Sequence, residues 1–78
     1  MSSRSFRNIQ TVGQFGIEVR RLREAAELTQ AALAAQAGVS RRWLGRLERG
    51  HTGAELANIM RLARALGLSL RFAESPAP

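Results

Sequence analysis

The sequence predicts a small all-α domain of four helices followed by one short β-strand. Three observations carry this. Between residues 11 and 67 stand four apolar patterns of helical spacing, each opened by a serine or threonine and three of them stopped at a glycine. After Gly67 the apolar period changes from helical to alternating. Cysteine is absent, so the 78 residues must be held by apolar burial without staples, near the lower size limit for such a domain. Support from a second chain fits that size.

The elements follow in order. Residues 1–10 are polar and non-periodic apart from Phe6 and Ile9, and read as a flexible N-terminal arm whose two apolar residues are satellites of the core. Thr11 with Gln14 three residues later forms a capping box that opens the first helix, and Phe15, Val19, Leu22 and Ala26 give it a narrow apolar stripe. Thr29 caps the second helix, expected over 30–37, with Leu28 and Leu33 as a hydrophobic staple and Gly38 at the stop. The device repeats at once: Val39, the cap Ser40 and Leu44 open a third helix that ends near Arg49, before Gly50. Thr52 and Glu55 read as a further capping box for a fourth helix, whose apolar arc of Leu56, Ile59, Met60, Leu62, Ala63 and Leu66 is wider than one small core requires. In residues 68–73, Leu68, Leu70 and Phe72 alternate with Ser69, Arg71 and Ala73 as in a half-buried strand, and residues 74–78 read as a disordered tail. No other segment reads as a partner for that strand. Pairing with its own copy about a two-fold axis would satisfy both backbones, so Leu68, Leu70 and Phe72 are the expected dimerisation residues of a homodimer.

Charge points to the partner. Twelve basic residues face six acidic ones for a net charge of +6, and every basic residue is arginine. So strong an excess on so small a surface favours polyanions. One histidine and six glutamates, with no cluster at metal-ligand or triad spacing, leave no expected catalytic residues, metal site or cofactor. No run reaches transmembrane length and the N-terminus lacks the apolar core of a signal peptide, so the expectation is a cytoplasmic protein. Binding to a membrane surface through the first helix is disfavoured by Glu18, Glu24 and Glu27 on its charged face.

The second and third helices, joined by a tight turn at Gly38, read as a helix-turn-helix. At about 100° per residue, Arg41, Arg42, Gly45, Arg46 and Arg49 fall within roughly 140° of the third helix, opposite Trp43, Leu44 and Leu47. Clustered charge on a helix is ordinarily a solvated face. Here no acid dilutes it, and Gly45, a poor helix former, sits at its centre and leaves space for close approach. Arginine suits such a face because its planar fork matches guanine O6 and N7 and also pairs with phosphate.

Thr29, Gln30, Leu33, Ala34, Gly38, Val39, Ser40, Leu44, Leu47, Glu48 and Gly50 match the pattern T-Q-x-x-L-A-x-x-x-G-V-S-x-x-x-L-x-x-L-E-x-G, and the chain over residues 11–67 resembles the Xre and Cro-type helix-turn-helix DNA-binding domains. The resemblance implies that Ser40, Arg41, Arg42, Gly45 and Arg46 face base edges, that Gln30 contacts the DNA backbone and braces the recognition helix, and that Arg23 and Glu48 form a partly buried pair. Where most such domains continue into a fifth helix, this chain turns into "LSLRFA", which is similar to HipB-like antitoxins. That likeness implies a homodimeric repressor on a palindromic operator in double-stranded DNA, with its C-terminal strands paired, that also holds a HipA-type kinase toxin. A stand-alone regulator of the phage type and a mainly protein-binding, toxin-neutralising module are the alternatives. Trp43 is expected at the edge of the core, although it could stack on a sugar or base. His51 is either a solvated loop residue or a phosphate contact, and Arg20, Arg21, Arg61 and Arg64 are either solvated or face the toxin.

Overall fold

The computed structural model describes residues 8–51 and 53–70. Residues 1–7, Thr52 and residues 71–78 lie outside them, and with them most of the expected arm, Phe6, one member of the capping box expected for the fourth helix, Phe72 and the tail. Four helices follow one another: α1 (Val12–Ala25), α2 (Gln30–Ala37), α3 (Arg41–Glu48) and α4 (Leu56–Ala65).

The first three begin where their caps place them. Thr11 Oγ1 accepts from the Gln14 N–H, Thr29 Oγ1 from the Ala32 N–H and Ser40 Oγ from the Trp43 N–H, each at 3.0 Å. Each bond satisfies one of the donors that a first turn leaves open. Gln14 returns its side-chain bond to the Gln10 N–H at 2.6 Å, one residue before the cap, so the reciprocal box spans Gln10 to Gln14. Gly38 and Gly67 take φ of 76° and 70°, the left-handed geometry expected where α2 and α4 stop. At the end of α1 that role falls to Glu27, with φ 58°. The Leu28 N–H reaches back to the Arg23 carbonyl at 3.1 Å, which closes the turn without a glycine to mark it in the sequence.

The start of α4 departs from expectation. A box at Thr52 and Glu55 would begin the helix at residue 53, but Gly53 takes φ 82° and cannot belong to a right-handed turn. The helix starts at Leu56, with Glu55 as an N-cap that makes no side-chain cap bond.

Val19, Leu33, Leu44, Leu47 and Leu62 are the fully buried side chains, joined by Phe15, Ala34, Ala37 and Ala63. Leu28 and Val39, the expected staple residues, pack half-buried against this cluster. Two apolar expectations fail for positional reasons. Ala26 is exposed because α1 stops at Ala25, and Ile9 is exposed because it precedes the first helix. On α4, Leu62 and Ala63 face inward, whereas Leu56 and Met60 are 65% and 52% exposed, so part of the broad arc is uncovered. Leu68 is half-buried and Leu70 exposed, without regular secondary structure. The expected strand is therefore not shown, and its remaining residues lie outside those described.

α1 packs on α3, and α2 on both α3 and α4. The α1–α3 approach is close enough to exclude a side chain: a Cβ at Gly16 would stand 2.0 Å from the Leu47 carbonyl oxygen. Further along α1 the same two helices are tied by charge. Arg23 Nε donates to Glu48 Oε2 at 2.8 Å, and Nη2 to Glu48 Oε1 at 2.9 Å. Its remaining Nη1 donates to the Leu28 carbonyl at 2.8 Å, so one guanidinium joins α1, the α1–α2 turn and α3. The two side chains are 12% and 2% exposed. Burial pushes the Glu48 carboxyl up, but the bonds from Arg23 and Gln30 and the charges of Arg23 and Arg20 outweigh it and hold the group below its ordinary 4.5. The bond to Glu48 raises Arg23 in turn.

This packing can be tested at both ends of the contact. Gly16→Ala should destabilise the domain by about 2–3 kcal/mol in urea unfolding, because the added methyl meets backbone that cannot turn aside. Gly13→Ala, whose Cβ would find Thr11 Oγ1 at 3.8 Å, should instead stabilise it by about 0.5–1 kcal/mol. Equal effects at the two positions would disprove the close approach. For Glu48, a carboxyl lowered by folding binds a proton more readily in the unfolded chain, so its contribution is complete above about pH 4.5 and is lost as pH falls through the lowered value. Glu48→Gln should cost about 3 kcal/mol at pH 7 and flatten the fall in stability between about pH 5 and pH 3. A variant curve parallel to the parent's would show that Glu48 carries no such linkage.

Candidate nucleic-acid interface

α3 is eight residues long and divides its chemistry by face. Leu44, Leu47 and Glu48 point inward and are buried, while Arg41, Arg42 and Arg46 are exposed, as is Arg49 at its C-cap. Glu48 is the sole acid of α3, and Arg23 neutralises it inside the fold. Four guanidinium groups thus stand on the outward face with no acid of that helix among them. So short a helix does not persist alone, and the face exists only because the inner side is packed.

The basic excess on α1 is handled differently. Within this helix Arg20 pairs with Glu24 at 3.3 Å and Arg21 with Glu18, while its third arginine, Arg23, is neutralised by Glu48 of α3. On α4, Arg61 Nη1 donates to Asn58 Oδ1 at 2.9 Å. Among the described residues, the side chains of Arg42, Arg46 and Arg49 have no hydrogen bond or ion pair, which leaves them available to an external anion.

Gln30, the first residue of α2, bridges the buried pair and the arginine face. Its Nε2 donates to Glu48 Oε1 at 3.1 Å, and its Oε1 accepts from Arg41 Nη1 at 3.5 Å. The carboxylate fixes which end of the amide is the donor, and so turns the oxygen toward Arg41. Gly45 lies beneath this bridge. It is buried, and a Cβ there would meet Arg49 Nη1 at 3.4 Å and Gln30 Oε1 at 3.5 Å. The space expected for close approach is therefore already roofed by the Gln30 amide and the Arg49 guanidinium. Ser40 keeps its hydroxyl engaged as the α3 cap, as its place in the turn requires.

The expected residues Gln30, Ser40, Arg41, Arg42, Gly45, Arg46 and Arg49 are thus brought to one surface, with Arg23 and Glu48 directly behind it. Trp43 is half-buried against the core, and its remaining surface helps to line a groove of about 290 Å³ between α3 and the α3–α4 segment. His51 and Glu55 also line it. No periodicity in the sequence marks that groove, because the left-handed turns at Gly50 and Gly53 that shape the segment carry no helical or alternating pattern. Among the described residues no helix is long and apolar enough to cross a membrane.

Comparison with known proteins agrees with this geometry. The helix-turn-helix domain family matches residues 14–72. No curated protein matches the chain. Among solved structures, the restriction-modification controller protein C.AhdI from Aeromonas hydrophila is similar at 40% identity, with a TM-score of 0.68 over 74% of this chain and 88% of that one. A single-substitution variant of HipB, in a complex with the O2 20mer, superposes with a TM-score of 0.81 at 22% identity, over 92% of this chain and 100% of that one. HipB is similar again in a HipA-HipB-O2-O3 complex, at a TM-score of 0.80 and 20% identity over 91% and 100%. The chain belongs to the helix-turn-helix domain family, as an Xre-type member with a HipB-like fold.

Proposed function

We propose that this protein is a sequence-specific DNA-binding transcriptional regulator that represses from a palindromic operator as a homodimer. One observation carries the reading: an outward helix face with four guanidinium groups, on a helix whose one acid is buried and paired. Arg41, Arg42 and Arg46 read base edges, Arg49 and Gln30 meet the backbone, Ser40 caps α3 beside them, and Gly45 makes room for the Gln30 and Arg49 side chains on that face. Gln30 also holds the Arg41 guanidinium in place through the Glu48-directed amide.

The dimer rests on the uncovered apolar residues Leu56, Met60 and Leu70, together with the alternating pattern of Leu68, Leu70 and Phe72. Two copies joined there would present recognition helices to successive major grooves about 34–36 Å apart. An operator in double-stranded DNA as the target goes with a cytoplasmic location.

Within this class we favour the antitoxin of a HipA-type kinase, supported by likeness to HipB over nearly the whole chain. The 40% identity to C.AhdI supports a second reading, a stand-alone controller with no toxin partner. A HipA-type kinase reading frame next to this gene would favour the first, and restriction-modification genes the second.

The test is affinity for a duplex selected by the parent chain from a random library, compared with unselected duplex. Alanine at Arg41, Arg42 or Arg46 should cost about 1–3 kcal/mol on the selected site and relax preference at one base pair. A chain ended after Gly67 should sediment as a monomer and bind that site much more weakly. Equal losses on both duplexes would reduce the arginines to phosphate contacts, and an undiminished truncated dimer would exclude the strand as the interface.

A further inference from the structure

Ile17, in the middle of α1, is 66% exposed and is the most exposed large apolar side chain among the described residues. Phe15, Gly16 and Val19 are buried, so Ile17 stands on the opposite, outer side of the helix. Isoleucine is a middling helix former, and helix propensity does not account for it there. On one flank of Ile17, Arg20 pairs with Glu24; on the other, Arg21 pairs with Glu18. At about 100° per residue, Gly13, Arg20, Arg21 and Glu24 all lie within about 60° of Ile17. The apolar side chain is thus set between two ion pairs, beside a glycine that adds no bulk.

A lone exposed apolar residue is ordinary, but the charge around this one is not. The chain carries +6, yet the charges that flank Ile17 sum to zero, Arg20 and Arg21 against Glu18 and Glu24. Among the four helices, α1 is the one whose surface shows both signs: α2 is uncharged, α4 has no acid, and the one acid of α3 is buried. An acidic or a basic partner would meet as many like charges as opposite ones on such a strip. A second copy need not, because a two-fold axis sets the strip against itself and each arginine can turn from its own glutamate to the neighbour's.

The size of the strip decides how strong the contact is. It is about 21 Å long and about 10 Å wide, roughly 200 Å² on each copy. A stable interface covers about 800 Å² on each partner, so this contact is weak. It counts where copies are already held near one another, as on one duplex, where the local concentration reaches about the millimolar range. We propose that the outer face of α1, centred on Ile17, is a weak second contact between copies of this chain, through which molecules on neighbouring sites bind cooperatively. It is separate from the dimer interface proposed above and from the arginine face of α3. The contact in solution stands on α1 alone, whereas its use on DNA rests on the DNA-binding reading above.

Sedimentation equilibrium of the full chain between about 10 µM and about 1 mM reads the contact directly. The parent should show a concentration-dependent step that doubles the mass of its low-concentration form. Ile17→Ala, a better helix former that retains the net charge, should weaken that step about threefold to tenfold, and Ile17→Leu should retain it. Glu24→Arg, which leaves the strip positively charged, should weaken it by a similar factor at low salt and less at high salt. On duplexes with two selected sites at a series of spacings, the parent should fill the second site about fivefold to fiftyfold more tightly at the best spacing. Ile17→Ala should lose most of that gain at unchanged single-site affinity. A parent with no such step, or Ile17→Ala and Glu24→Arg variants with the parental step, would overturn the proposal. So would an Ile17→Ala variant that lost the low-concentration form itself, because α1 would then be the primary interface. Independent filling of the two sites at every spacing would overturn the role on DNA. Failure of the parent to bind any duplex at low salt would remove the DNA-binding reading, and the step in solution would still decide the contact.

Discussion

The contact between α1 and α3 sets the position of everything that faces outward. At Gly16 the two helices come so close that a methyl group would strike the Leu47 carbonyl. Farther along, the Arg23 guanidinium closes the same interface on Glu48 and takes the Leu28 carbonyl with its third bond. Steric contact fixes the distance between the helices, and the directional fork of Arg23 fixes the rotation of α3 about its own axis. Apolar packing of Leu44 and Leu47 alone would leave that rotation less determined, because dispersion contacts have little directional preference.

A fixed rotation matters because α3 carries opposite chemistry on its two sides. A small rotation would expose the Glu48 carboxylate among the arginines and bury a guanidinium without a partner, at a cost of several kcal/mol. Burying the acid has a second consequence. Glu48 still reaches the surface indirectly, through the Gln30 amide that it orients and the Arg41 group that this amide holds. The same ionic tie that stabilises the fold therefore also constrains an exposed arginine, and under the proposed function this would couple stability to recognition.

Much of this is legible in the sequence where local chemistry decides the outcome. Thr11, Thr29 and Ser40 mark three helix starts because a hydroxyl cap acts within four residues, and Gly38 marks a stop because glycine accepts φ 76° without strain. The arginine face follows from helical period alone. The Arg23–Glu48 pair comes from family resemblance; helical placement is compatible with it but does not select it. Gly16 escapes a reading of the sequence, since a glycine inside a helical pattern gives no sign of which backbone lies across from it. The start of α4 is misplaced by that reading because Thr52 and Glu55 satisfy the spacing of a capping box, while the left-handed turn at Gly53 breaks the helix between them. At Gly45 the sequence finds the right residue with the wrong surroundings: the space above it is filled by Gln30 and Arg49, and the Gln30 contact is a long-range one that no single helix reveals.

The central claim is that the α3 face, held by its tie to α1, is the surface that meets DNA. Backbone amide chemical shifts of the isotope-labelled full chain, recorded during titration with a 20-base-pair duplex selected by the protein, test it most directly. The account predicts that the largest changes fall on Gln30 and on residues 40–51, with little change at Ile17, Arg20 and Arg21 on the outer side of α1. Changes concentrated on that outer side, with residues 40–51 unmoved, would contradict it.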